Sequence, residues 1–341
     1  MSNDSLLIKA LACENTKRAP VWIMRQAGRY MPSYKKIREK HALSQMFHEQ
    51  KIIEQVTMLP VEELQVDAAI VFSDILLPFE ALGCQVVYEN DKPPQVLLQK
   101  QTLESLTLPP YPILEEQFQY LAQAMISLKK RLTIPLIGFC GAPFTLASYL
   151  LEPSSHHLMR STKTLMYANP AKMHALLNLL TQLVIDYAKM QIRAGADVIQ
   201  LFDSWAGCLD QKQFMECCAF YLKKIVDALK PLGVPVIIYA RGSCVFAQEL
   251  VALEPHAISF DWHRPMQEIS KIVPGNIALQ GNLDPDFLRS SLSTIQMQTK
   301  DLLKSMRHEK RFILNLGHGV LPDLSYDAVK CFVQTALEYR S

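Results

Sequence analysis

Two arginines four residues apart, Arg25 and Arg29, flank Gly28 just after the apolar run Val21–Met24. A guanidinium is a fixed cation with a planar donor fork that suits carboxylate or phosphate. This loop is therefore expected to hold an anion. Other polar side chains also follow short apolar runs. Gln26 lies beside the arginines. Ser73 and Asp74 follow Ala68–Phe72, and Tyr149 ends the segment GFCGAPFTLASY that begins at the end of Pro135–Phe139. Asp203 and Ser204 follow Val198–Phe202, and Arg241 follows Val234–Tyr239. Asp261 follows Ala257–Phe260, Gln280 and Asn282 follow Ile277–Leu279, and Asn315 and His318 follow Phe312–Leu314. The set offers cations that bind, carboxylates that accept hydrogen bonds, and an imidazole that titrates near neutrality.

Each residue also has a plainer use. Arg25 or Arg29 could pair with Asp203 or Asp261 and simply close the fold. Asp74 could cap the next helical element. Tyr149, about two turns into a helix expected from Pro143, could pack in a core. Ser204 could cap a helix, and no G-x-S-x-G elbow surrounds it. Asn282 and Asn315 could satisfy loop backbone. His318, between two glycines, is expected to face a cavity.

The elements that would carry these residues are regular. Eight apolar or β-branched runs recur, and most are continuous rather than alternating, as in strands buried on both faces. Between them lie stretches of helical spacing, among them Leu114–Lys130, Ala171–Arg193, Gln211–Leu229 and Leu292–Met306. This alternation predicts an α/β fold, a single-domain (β/α)8 TIM barrel over residues 1–341. A doubly wound sheet is the alternative, but no GxGxxG follows the first strand. Of the 12 glycines, all but two sit at expected strand–helix junctions, which leaves little sign of a second domain. The segments GCQVVYEN and PQVLLQ after the second strand predict a hairpin-like insertion at the barrel mouth. In such a barrel every polar residue named above lies at the C-terminal end of a strand, facing one cavity.

Composition narrows the function. The net charge of +2 gives no global field for nucleic acid or membrane. The uncharged apolar stretch Leu136–Leu151 contains Gly and Pro and is too short to span a bilayer well. The N-terminus lacks a secretory pattern, so a soluble cytoplasmic protein is expected. The eight cysteines form no CxxC pair and read as reduced thiols. His156 and His157 are adjacent and read as a solvated loop, while His256 and His263 stand apart. No metal is expected, because no ligand spacing such as HExxH occurs.

PVWIMRQAGR, Pro20–Arg29, with Tyr30, Met31 and Pro32 after it, resembles the N-terminal signature of the uroporphyrinogen decarboxylase family. GFCGAPFTLASYLLE, Gly138–Glu152, resembles the second signature, departing only at Pro153, where the family usually has Gly or Lys. FSDIL, LFDSWAG, QGNLDP and NLGHG, beginning at Phe72, Leu201, Gln280 and Asn315, resemble further family segments in order. The resemblance implies a cofactor-free homodimeric barrel. Its reaction would remove carbon dioxide from the four acetate side chains of uroporphyrinogen III, giving coproporphyrinogen III for haem synthesis. The tetrapyrrole would be the small-molecule partner. The implied substrate contacts are Arg25, Gln26, Ala27, Gly28, Arg29, Arg38, Asp74, Phe139, Tyr149, Phe202, Ser204 and His318. Asp74, Arg25, Tyr149 and His318 would carry the chemistry. Corrinoid-linked methyltransferases share this barrel but use zinc held by His and Cys. Here the fifth strand ends in YARG, with Tyr239 and Arg241 where an H-x-C pair would be wanted.

Overall fold

The structure is a computed structural model, and it describes residues 5–14, 16–89, 92–99, 101–152 and 159–339. His156, His157 and Pro153 lie outside the described residues. Nine strands occur among those described: β1 (Ala69–Ile70), β2 (Gln85–Val87), β3 (Gln95–Leu97), β4 (Leu136–Gly141), β5 (Val198–Asp203), β6 (Val236–Ala240), β7 (Ala257–Ser259), β8 (Ala278–Leu283) and β9 (Phe312–Leu316). Seven of them form one parallel sheet in the order β1-β4-β5-β6-β7-β8-β9. β2 and β3 pair antiparallel on their own, with Val86 opposite Val96. Helices join successive parallel strands, for example Pro170–Arg193 before β5 and Leu292–Ser305 before β9.

The run Val21–Met24 does not form a strand ladder; its only bridge is Val21 to Leu314. The reason is that side chains take its N–H groups. Asp67 accepts from Val21 N at 2.7 Å, Gln26 from Ile23 N at 3.3 Å and Asn315 from Met24 N at 3.3 Å. Its carbonyls still reach both sheet edges. Pro20 accepts from Leu314 N of β9, and Val21 accepts from Asp67 N just before β1. Residues 20–24 thus lie between the first and last strands of the sheet, so the sheet must curl.

The curl makes two cores. Alternate strand residues such as Leu136, Ile199, Val236 and Leu314 pack outward against the helices. The residues between them, among them Ile137, Val198, Ile237, Ala278 and Ile313, meet Trp22 and Met24 in a separate inner cluster. Leu7, Ala10 and Leu11 of helix Leu6–Leu11 join the inner cluster and plug its lower end. Each such buried aliphatic side chain is worth about 1.5–3 kcal/mol. Above the plug, the inner core is polar. Gln280 Nε2 donates to Gln200 Oε1 at 3.1 Å and to Ser259 Oγ at 3.0 Å, and Trp22 Nε1 donates to Gln280 Oε1 at 3.0 Å. This network ties β5, β7 and β8 to Trp22 inside the sheet.

Helix boundaries differ from the periodic pattern in two places. Gln211–Leu229 carries a π-helical turn at Met215–Ala219 between its α-helical ends Gln211–Phe214 and Phe220–Leu229. A second stretch is split. The stretch expected as one helix over Leu114–Lys130 is two, Tyr111–Gln117 and Gln119–Arg131. Phe118, at φ −102° and ψ 22°, interrupts them and packs edge-on against Tyr187 with ring centroids 5.0 Å apart.

Candidate active site

At the C-terminal end of the parallel strands lies one cavity of about 1060 Å³. All twelve residues named for substrate contact line it: Arg25, Gln26, Ala27, Gly28, Arg29, Arg38, Asp74, Phe139, Tyr149, Phe202, Ser204 and His318. The strand ends bring them together from positions up to nearly three hundred residues apart in the chain.

The arginine loop is held tightly. Tyr30 Oη donates to the Gln26 carbonyl. The buried Gln26 amide spends itself on the backbone, donating to Ala68 O at 3.2 Å and accepting from Ile23 N. Gln26 therefore shapes the loop even though it lies on the cavity wall. Arg25 has a left-handed backbone, φ +61°, which a non-glycine residue adopts only where its surroundings enforce it. Val320 N donates to Met24 O at 2.9 Å, so the loop is tied to the chain just after NLGHG. The side chain of Arg25 lies across Gly319. A Cβ at that glycine would fall 2.7 Å from Arg25 Cδ and 2.9 Å from Cγ. The glycine is needed for this close approach. Asp203 and Asp261 do not hold the arginines. Asp203 accepts from Thr145 Oγ1 at 2.6 Å, and Asp261 lies 3.1 Å from His263 Nδ1.

Asp74 does cap the backbone: its Oδ1 accepts from Leu76 N at 2.8 Å. It also faces the cavity, so its backbone-capping role leaves it placed on the cavity wall. Burial raises its pKa above 3.8. The Leu76 N–H, the nearby Tyr88 hydroxyl and the charge of Arg25 oppose that rise. Tyr149 sits on helix Pro143–Leu151 with its ring edge-on to Trp205, centroids 6.2 Å apart. Burial pushes its phenol up, the charge of Asp74 adds to this, and Arg25 and Trp205 oppose it. Asp74, Arg25 and Tyr149 thus sense one another's charge across the cavity.

Phe139 and Phe202 meet edge-on at 5.7 Å and form an aromatic floor, with the buried Tyr239 ring packed against Phe202 at 5.9 Å. Ser204 lines the wall beside them and does not cap the short 3-10 turn Ala206–Cys208, whose cap position is Trp205. His318 Nδ1 lies 3.0 Å from Tyr239 Oη. Burial, then Arg25 and Arg241, lower its pKa from 6.5 to about 4. It is a neutral imidazole at pH 7.

Other strand-end residues serve the backbone. Asn282 donates to the carbonyls of Asp261 and Arg264, and Asn315 accepts from Met24 N and Leu316 N. The sequence reading missed several wall residues. Tyr34 and Lys35 come with Arg38 from helix Pro32–Arg38, Phe47 from helix Leu43–His48, and Tyr88 and Lys92 from the segment between and around β2 and β3. Only Tyr34 had a signal, since it is four residues before Arg38 on one helical face. Among the described residues no three His, Cys, Asp or Glu side chains gather as a metal site would require.

Similarity to known proteins decides what the cavity belongs to. A family model described as "Uroporphyrinogen decarboxylase (URO-D)" matches residues 2–339. The chain belongs to the uroporphyrinogen decarboxylase family. It is 43% identical to the uroporphyrinogen decarboxylase of Protochlamydia amoebophila, over 99% of this chain and 92% of that relative. It is 39% identical to the Myxococcus xanthus protein of the same name, over 97% of this chain and 95% of that relative. Among solved structures, a methyltransferase from Methanosarcina mazei superimposes with TM-score 0.83 over 98% of each chain at 17% identity. That likeness speaks for the fold alone. A parallel α/β architecture of this kind is therefore shared with a protein that does different chemistry, and the function must be read from the site.

Proposed function

We infer that the chain is a carboxy-lyase that decarboxylates uroporphyrinogen for haem biosynthesis. Membership of the family supports this. The observation that carries it at the site is Asp74, a half-buried carboxylate in the wall of a cavity whose rim is arginine-rich. In this reading the substrate is uroporphyrinogen III, and all four of its acetate side chains become methyl groups.

The chemistry follows from the substrate and the wall. Uroporphyrinogen carries eight carboxylates around a ring of pyrroles. Arg25, Arg29 and Arg38 bind the carboxylates at the rim, each charge-assisted contact worth about 1.5–3 kcal/mol. The pyrrole N–H groups point inward, to the carboxylate of Asp74. A pyrrole protonated at a ring carbon is a cation and an electron sink, so carbon dioxide leaves and its bonding electrons form an exocyclic methylene. A proton added to that methylene, with loss of the ring-carbon proton, gives the methyl group and restores the pyrrole. No cofactor is needed for such a step. The charge of Asp74 favours the cation over the neutral pyrrole, which is stabilisation by a fixed charge already in place. Tyr149 and Ser204 orient the ring by hydrogen bonds. A guanidinium with a pKa above about 12 is a poor acid. His318 is neutral at pH 7. The proton is therefore assigned to water or to a substrate carboxyl group positioned by Arg25.

The same reading takes the sheet and residues 20–24 as one (β/α)8 barrel domain spanning 1–341. The β2–β3 pair is then an insertion after the second barrel strand, and it brings Tyr88 and Lys92 to the mouth. The chain would work as a cytoplasmic homodimer without a nucleic-acid partner, which rests on the family resemblance. Among the described residues no helix is long and apolar enough to cross a membrane. The test is anaerobic incubation with uroporphyrinogen III. Products with seven, six, five and finally four carboxylates are expected in turn. Tight binding with no loss of carbon dioxide would instead make the protein a tetrapyrrole carrier.

A further inference from the structure

Tyr239 is buried in the inner core at the end of β6, yet its hydroxyl meets a cavity residue. Its Oη is 3.0 Å from His318 Nδ1, and the two rings stack at 13° with centroids 5.8 Å apart. Tyr239 is not itself part of the cavity lining, whereas His318 is. Either atom of the pair could donate, and the surroundings decide which does. The charged groups facing the pair are Arg25 from the arginine loop, Arg241 after β6 and Asp261 after β7. Both arginines disfavour an imidazolium, and burial keeps the phenol protonated. The phenol therefore has a proton to place, and His318 Nδ1 is the acceptor within hydrogen-bond reach among the described residues. A donor from Nδ1 would leave the buried phenol O–H unsatisfied, which is costly away from water. The phenol must donate, and Nδ1 must be the bare nitrogen. The ring hydrogen then sits on Nε2, the nitrogen that Tyr239 leaves for the cavity.

We propose that Tyr239 is a positioning residue that fixes His318 in its Nε2–H tautomer, so that the imidazole offers an N–H to an acidic group of the substrate. The proposal rests on the reading of this cavity as a tetrapyrrole site. It adds a residue that touches no substrate and acts only through His318. A neutral donor here has a use: it binds a carboxylate without adding a third cation beside Arg25 and Arg241. Phenylalanine at 239 would keep the ring, its packing and the stacking, and remove only the hydroxyl that holds Nδ1.

The experiment uses the full chain with isotope-labelled histidine. Its ring nitrogens are followed by NMR, and His318 is assigned from the signal lost in His318→Asn. In the unsubstituted protein at neutral pH, His318 should be neutral with its hydrogen on Nε2. In Tyr239→Phe the Nδ1 signal should move, and KM for uroporphyrinogen should rise about three- to tenfold with kcat within about twofold, as loss of an oriented binding hydrogen bond requires. An Nδ1–H tautomer or an imidazolium in the unsubstituted protein overturns the proposal. So does a Tyr239→Phe protein with unchanged Nδ1 signal or unchanged KM. The tautomer is read without substrate. A protein that releases no carbon dioxide would thus defeat the functional reading while still deciding which atom of this pair donates.

Discussion

Replacing Asp203 by asparagine should stabilise the protein at neutral pH. Asp203 ends β5, is fully buried, and uses Oδ1 to accept from Thr145 Oγ1 at 2.6 Å. Its Oδ2 has no hydrogen-bond partner among the described residues. Burial raises its pKa from 3.8 to about 6, against Thr145 and the nearby Cys218 thiol, which favour the charge. A carboxyl whose pKa is higher folded than unfolded binds its proton more tightly in the native state. Its contribution to stability is therefore greatest below about pH 4 and is lost as pH rises toward about 6. At ~1.4 kcal/mol per unit, the ionised form costs the native state about 3 kcal/mol at higher pH. Asparagine keeps an oxygen for Thr145 and carries no charge. An unfolding entropy of about 2 cal/mol/K per residue across this chain converts that figure to roughly 4 °C in Tm. Thermal melts followed by circular dichroism from about pH 4 to pH 8 test it. Asp203→Asn should melt up to roughly 4 °C higher at the alkaline end, and the advantage should vanish at the acid end. A lower Tm than the unsubstituted protein at the alkaline end, or a difference that does not change with pH, would refute the reasoning.

Three further outcomes follow from the cavity wall. Gly319→Ala places a methyl 2.7 Å from Arg25 Cδ, so Arg25 must move and kcat/KM should fall about tenfold or more with the fold retained; unchanged kinetics would show that Arg25 need not lie there. Arg29→Ala should weaken substrate binding far more than it lowers Tm, and a large loss of Tm with unchanged affinity would return Arg29 to a fold-closing role. Asp74 is raised above 3.8, so if it acts as its anion, as proposed, kcat/KM should decline on the acid side with an apparent pKa above that value. An acid limb at or below it would contradict the assigned burial.

Much of this was legible in the sequence, for a physical reason. Strands buried on both faces are largely apolar, so β4, β5, β6 and β9 announce themselves, and Ser204 and His318 just beyond β5 and β9 mark the cavity wall. Local pattern failed where side chains replaced backbone partners. Val21–Met24 reads as an ordinary strand, yet Asp67, Gln26 and Asn315 take its N–H groups, and two of those three lie far away in the chain. Phe118 fits the helical period, and only its contact with Tyr187 explains the break there. Within the site, residues on strand ends could be foreseen. Tyr88 and Lys92 could not, because a hairpin says nothing about where it folds back. Tyr239 looked like a core residue and is one, but its hydroxyl finds His318 seventy-nine positions later.

The central claim is that a negative charge at Asp74 drives the loss of carbon dioxide. Asp74→Asn preserves the size of the side chain and the acceptor for Leu76 N, and removes only the charge. Carbon dioxide release from uroporphyrinogen III, compared anaerobically between this variant and the unsubstituted protein, is the direct measurement. The account predicts a loss in kcat of about a hundredfold or more with the fold intact. Turnover within about tenfold of the unsubstituted protein would contradict it, because so small an effect is within reach of altered hydrogen bonding alone.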